Sequence, residues 1–116
     1  MNIIFGTKEA EMLEERYIVL ELDTITIKSS TPIVTYCVIE NMPIDEISLM
    51  ENLKKLHHNL MKEYRNKNWN FCEQAIDQLM KYWAGELDSF YEILLKRIKS
   101  YQEQDPGDDW TGIIAK

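Results

Sequence analysis

Few residues in this chain combine the type and the spacing that chemistry requires. His57 and His58 are the first to weigh. Adjacent helical positions point about 100° apart, so the two do not converge on one ion. Leu53, Lys54, Met61 and Lys62 stand where a second ligand one turn away would sit, which leaves neither histidine a metal partner on its own face. His57 falls on an apolar stripe and reads as a hydrogen-bonded core residue, whereas His58 faces water. Cys37 and Cys72 lie outside any Cys-x-x-Cys and read as buried free thiols of a reducing compartment. A Cys–His nucleophile pair has no supporting motif and no oxyanion segment beside it. The four glycines are too scattered to cradle a phosphate. Asp105, Asp108 and Asp109 cluster near the C-terminus without the alternating spacing and closing glutamate of an EF-hand loop. No catalytic residue, cofactor site or metal site follows from the sequence.

The aromatic residues say more. Tyr64, Trp69, Tyr82, Trp83, Phe90, Tyr91 and Tyr101 crowd the second half, and Trp110 follows soon after. Most of them belong to a core, where they bury the largest areas. Tryptophan and tyrosine are also the favoured anchors of interaction surfaces. Trp110 sits in a Gly- and Asp-rich tail, Asp105-Pro106-Gly107-Asp108-Asp109-Trp110, and a solvated indole there is hard to explain. It either folds back onto the helices or inserts into a partner. Trp69, Trp83 and Trp110, with the neighbouring Asp108 and Asp109, are therefore the candidate binding residues.

Elements that would position these residues can be read from hydrophobic period. Ile3-Ile4-Phe5 is a short apolar run ended by Gly6, and Thr7 is placed to cap a short helix reaching Glu15. Tyr17 to Ile27 is β-branched. Ile18, Leu20 and Leu22 share one face while Ile25 and Ile27 have the opposite parity, which predicts a bulge near Asp23-Thr24. Lys28 to Pro32 reads as a turn, and Ile33 to Glu40 as a second strand with two largely apolar faces. After the break at Asn41-Met42-Pro43, apolar residues at helical spacing predict a helix from Asp45 to Arg65. Asn70, with Glu73 three residues on, predicts the start of a second helix that Gly85 ends. A third helix starts near Glu86, and the last two form an αα-hairpin resembling a tetratricopeptide unit. The expected class is α+β: an N-terminal β-hairpin of two or three short antiparallel strands, then three helices. The 116 residues fit one domain, with a β-rich part (1–42), a helical part (43–103) and a tail (104–116).

Charge narrows the partners. Twenty acidic against thirteen basic residues give a net charge of −7, which disfavours nucleic acid and anionic membrane surfaces. The N-terminus has no basic n-region followed by a long apolar run, and no window approaches the roughly 20 apolar residues of a membrane span. A cytoplasmic address is expected.

Two resemblances extend this reading. The pattern Tyr64-x4-Trp69-x5-Ala75, then Asp88-x2-Tyr91, Arg97 and Pro106-x2-Asp109-Trp110-Thr111-Gly112, resembles the segment that follows the catalytic domain of many bacterial class III adenylate cyclases. In those proteins a tetratricopeptide-like hairpin leads into a Pro-rich stretch and a Trp-Asp-Gly close. Here Thr111 stands where those tails usually have Asp. The resemblance covers roughly residues 57 to 116 and brings no cyclase domain, so it implies a packing role for the hairpin and Trp110 and no cyclase activity. The whole chain is also similar to small uncharacterised proteins of marine cyanobacterial tailed phages, in Phe5-Gly6-Thr7, Leu20-Glu21-Leu22-Asp23-Thr24 and Asn68-Trp69-Asn70. That similarity implies a phage accessory protein in the host cytoplasm and names no site residue.

The expected function is a non-enzymatic protein-binding or regulatory module with a host or viral protein partner, self-associating as a homodimer by strand-edge pairing. One alternative is an acidic inhibitor that occupies a basic surface of a host enzyme or nucleic-acid-binding protein. Another is a small enzyme or ligand-binding domain whose site is assembled from residues distant in sequence.

Overall fold

The computed structural model describes residues 2–27, 31–39, 47–83 and 85–115. Its elements, in chain order, are β1 (Asn2–Phe5), α1 (Thr7–Leu13), β2 (Ile18–Thr26), β3 (Ile33–Ile39), α2 (Ile47–Arg65), α3 (Trp69–Leu79), α4 (Asp88–Glu103) and β4 (Ile113–Ala115). The fold is α+β, with N-terminal strands followed by three helices. The chain divides into two compact units: residues 1–42 with 112–116, and residues 43–111.

The first unit is built on a four-stranded sheet in the order β1-β3-β2-β4. β2 and β3 form an antiparallel hairpin in which Val19 faces Val38 and Leu20 faces Cys37, and the register shifts between Glu21 and Thr24. That irregularity is the expected bulge. Across it the Thr35 hydroxyl donates to the Asp23 carbonyl at 2.7 Å, so a side chain holds a backbone group that the disturbed ladder leaves over. The β1 strand adds to β3, again antiparallel, with Ile4 opposite Tyr36. Helix α1 covers one face of the sheet: Ala10, Val19 and Val38 form its core, with Ile4, Leu13, Tyr17 and Tyr36 packed around them.

Two details of this unit depart from the sequence reading. Thr7 is not the cap of α1. Gly6 occupies that position with φ +98°, no side chain caps the helix, and the Thr7 hydroxyl instead meets that of Tyr36 at 3.1 Å. Beyond the antiparallel strands, Ile113–Ala115 adds a fourth that runs parallel to β2 with Thr24 opposite Ile113. A three-residue run is too short to show a period, which is why it read as tail.

The second unit consists of α2, α3, α4 and the segment that follows. Its interior holds Leu60, Met61 and Tyr64 from α2, Cys72, Ala75, Ile76 and Leu79 from α3, and Phe90, Tyr91, Leu94 and Ile98 from α4. Asn68, not Asn70, caps α3: its Oδ1 accepts the Phe71 N–H at 3.5 Å. Asn68 is fixed for that role because its amide NH2 donates to Glu63 Oε2 (2.9 Å) and its backbone N–H to the Glu63 carbonyl (3.0 Å).

Helix α3 also ends earlier than Gly85. Met80 turns extended (ψ 133°) and Lys81 takes a left-handed conformation with φ +69°, its N–H captured by Asp88 Oδ1 at 2.7 Å. The helical hairpin of α3 and α4 therefore has a longer connection than the sequence suggests. Trp83 and Leu87 bury their side chains within it, and Gly85 serves as a turn residue. Residues 28–30 of the expected Lys28–Pro32 turn, the break at residues 41–43 and the first residues of the helix read from Asp45 fall outside the described residues.

Candidate functional site

The residues that looked chemically capable are mostly enclosed. His57 is buried, and its Nδ1 lies 2.9 Å from the Tyr91 hydroxyl. The same hydroxyl accepts the Trp83 indole N–H at 3.0 Å. With that N–H pointing at the oxygen, the arrangement that serves all three groups has the Tyr91 O–H donating to an unprotonated His57 Nδ1. His57 is thus a hydrogen-bonded core residue, as its position on the apolar stripe predicts, and His58 is exposed. Cys37 and Cys72 are both buried thiols. The Cys72 S–H is directed to the Leu60 carbonyl at 3.7 Å. Burial pushes its thiol up to about 12, with Glu63 and Glu73 adding to the effect. A thiol held neutral in this way is a poor nucleophile. Among the described residues no group of three His, Cys, Asp or Glu side chains lies close enough to hold a metal ion. Among them too, no helix is long and apolar enough to cross a membrane.

The groups left at the surface gather where α2 turns into α3. Lys67 has φ +62°, a left-handed conformation unusual for a side chain with a Cβ. From this corner its ammonium reaches the segment after α4, donating to Asp105 Oδ1 at 3.0 Å and to the Gly107 carbonyl at 2.6 Å. Asp105 Oδ1 also accepts the Gly107 N–H at 2.8 Å, closing an Asx turn through Pro106, and Gly107 supplies the positive φ of +101°. The Gly107 N–H and Lys67 together hold the Asp105 carboxyl below its ordinary value.

This clasp delivers Trp110 to a ring cluster. Its indole lies 5.2 Å from Tyr64, 5.6 Å from Trp69 and 5.2 Å from Tyr101, each centroid to centroid and steeply inclined. Trp69 in turn lies 6.1 Å from Tyr64 and 5.5 Å from Tyr101. All but the tilted Trp69–Tyr101 pair are edge-to-face, and such pairs add about 0.5–1.5 kcal/mol each beyond the area they bury. Trp110 therefore packs in cis against all three helices of its unit.

Beside it, Lys67, Asn68, Trp69, Asn70, Tyr101, Gln102 and Asp105 line an open groove of about 420 Å³. The floor is aromatic, the rim carries three side-chain amides, and Asp108 and Asp109 stand exposed on the adjoining turn. Of the five residues picked out from sequence, Trp69 and Trp110 come together here, and Asp108 and Asp109 flank them. Trp83 is 1% exposed and belongs to the Tyr91–His57 network, so it offers no surface.

Sequence reasoning did not assign Lys67, Tyr64, Tyr101 and Asp105 to this site. Asp105-Pro106-Gly107 carries a turn signal that could have marked the fold-back. Nothing local marks Lys67, because a left-handed lysine has no sequence signature. No family model matches the chain, and neither a curated protein nor a solved structure matches it.

Proposed function

We propose that the protein is a non-enzymatic protein-binding or regulatory module, and that its contact surface is the tail-closed corner of the helical unit. The observation that carries this reading is the clasp itself. Lys67, Asp105 and the Gly107 backbone fix an exposed acidic turn beside an aromatic groove, before any partner arrives. Preorganised rings and carboxylates suit a basic, extended segment of a partner protein. An arginine or lysine would stack on Trp69 and Tyr101 while Asp108 and Asp109 neutralise its neighbours. The enclosure of His57, Cys37 and Cys72 supports binding over catalysis, because each is committed to the interior. The likeness of this segment to the one after cyclase catalytic domains supports a packing role for the same hairpin and tryptophan. A phage accessory protein acting in the host cytoplasm is the setting that accords with the whole-chain similarity.

The acidic-inhibitor reading uses this same surface, with a basic host protein as the partner. Exposed Asp108 and Asp109 favour it. Capture from host lysate at two salt concentrations tests both readings. The wild type retains a protein that Asp108→Asn/Asp109→Asn and Trp110→Ala lose. For the inhibitor, retention also weakens as salt rises. Equal retention by all three proteins sinks the tail-corner surface.

A further inference from the structure

We propose that two copies of this chain pair through β1, edge to edge and antiparallel, to join their sheets about a two-fold axis at Ile4. Among the described residues β1 pairs with β3 alone, so its other side is the open edge of the sheet. The ladder fixes which backbone groups face that edge. Gly6 stands opposite Val34 by continuation of the register, and its N–H donates to the Val34 carbonyl at 2.9 Å. Hydrogen-bonded and non-hydrogen-bonded pairs alternate along an antiparallel ladder. Ile4 and Asn2 therefore bond inward to β3. Ile3 and Phe5 turn their N–H and C=O groups outward.

The side chains of those two residues are the exposed ones. Ile3 is 49% and Phe5 55% exposed, although their cross-strand neighbours Cys37 and Thr35 are buried. One strand thus presents an apolar pair together with backbone groups that no other described residue pairs. Protected edges carry lysine, proline or a bulge, and β1 has none of these.

A second copy fits this edge in one register. Ile3 and Phe5 are placed symmetrically about Ile4, so a two-fold axis there sets Ile3 against Phe5 of the other copy, and Phe5 against its Ile3. Both are hydrogen-bonded pairs. They use all the outward N–H and C=O groups of these residues and lay isoleucine against phenylalanine on the same face. Ile4 meets its own counterpart as a non-hydrogen-bonded pair on the opposite face. Charge permits the approach: each copy carries −7, yet residues 2–7 contain no charged side chain, so the repulsion is not concentrated at the seam. The seam uses no residue of the tail corner, so its failure and that of the proposed partner surface are separate results.

Sedimentation equilibrium of the whole chain decides the matter, with circular dichroism confirming that each variant is folded. The wild type is expected to dimerise in the micromolar range. Phe5→Lys and Ile3→Pro should weaken the dissociation constant by at least about tenfold. Ile3→Pro removes an N–H that β3 does not use, whereas proline at Ile4 would break the intrachain ladder. The register has its own check. Non-hydrogen-bonded partners sit with Cα atoms about 4.5 Å apart, within disulfide reach, so Ile4→Cys should oxidise to a covalent dimer and Phe5→Cys, which faces Thr35 within its own chain, should not. A wild type that stays monomeric at about 100 µM, well above a micromolar dissociation constant, overturns the proposal. A dimer that persists undiminished in Phe5→Lys and Ile3→Pro overturns it equally.

Discussion

Tyr91 and Tyr64 are both almost wholly buried, yet their hydroxyls are placed very differently. That of Tyr91 accepts from Trp83 and pairs with His57. That of Tyr64 lacks a partner in close hydrogen-bond geometry, and the Tyr101 hydroxyl and Arg97 guanidinium are its polar neighbours. Burial and Tyr101 push the Tyr64 phenol well above its ordinary value, with Arg97 opposing. Phenylalanine should therefore have unequal effects at the two sites. Tyr91→Phe strips the partner from the Trp83 N–H and one from His57, and each orphaned polar group costs about 1–3 kcal/mol. Tyr64→Phe removes a hydroxyl that has only those looser polar neighbours, so it should cost less than Tyr91→Phe, between neutral and about 1 kcal/mol. Urea unfolding of the two variants checks this, and a loss in Tyr64→Phe as large as in Tyr91→Phe would contradict it. Asp105 adds a pH dependence to the same corner. Its folded pKa lies below the ordinary carboxylate value, so it supports tail closure above about pH 4 and that support fades as pH falls through the lowered folded value. Trp110 emission should follow this acid transition while the helical circular dichroism holds. The step should vanish in Asp105→Asn, whose tail is already loosened at pH 7.

At the scale of elements, the connection between α3 and α4 holds a stabilising change that the wild type does not use. Lys81 adopts φ +69° and contributes its backbone N–H to Asp88, a bond that any residue other than proline can make. The left-handed conformation costs a residue with a Cβ roughly 1–2 kcal/mol. Lys81→Gly should then raise stability by about 0.5–1 kcal/mol after the added unfolded-state entropy of glycine is subtracted. A thermal melt reads it, and a lower midpoint would show that the lysine side chain contributes to the turn. This same connection marks where the sequence stopped being legible. Long periodic stretches were readable: the bodies of α2 and α4, the two central strands, and the bulge announced by the changed parity of Ile25 against Leu22. Ends were less so. Asn70 carries the capping-box pattern with Glu73 on paper, yet the contacts of Glu63 fix Asn68 as the cap. A glycine at position 85 suggested the end of α3, but the chain leaves the helix at Met80 because Asp88 seizes the next amide. The candidate site was half legible. Its tryptophans and aspartates stand out by type, whereas Lys67 and Asp105 are paired across a separation of 38 residues, which no local pattern spans.

The molecule as a whole has an unusual order of assembly for its size. Residues 1–42 supply three strands of one sheet, the chain then makes an entire helical unit, and only residues 113–115 complete that sheet as its fourth strand. The pairing of β4 with β2 is parallel and of the longest sequence separation among the described strand pairs, so it closes at the greatest loop entropy. Three residues add little burial of their own. Their consequence lies in what they cover, since Thr24, Ile25 and Thr26 follow the β2 bulge and would otherwise form a second open edge. Ending the chain at Thr111 should therefore leave the helical unit intact and weaken the sheet at one border. Hydrogen exchange of the Thr24–Thr26 segment should accelerate by an order of magnitude or more, about 1.4 kcal/mol of lost protection per tenfold. Exchange in α3 and α4 should not change. The truncated chain should also associate more strongly than the full one, through the newly bared β2 edge, and Phe5→Lys should not suppress that extra association. Equal protection of Thr24–Thr26 in both chains would mean that β4 is an ornament on a sheet already complete with three strands.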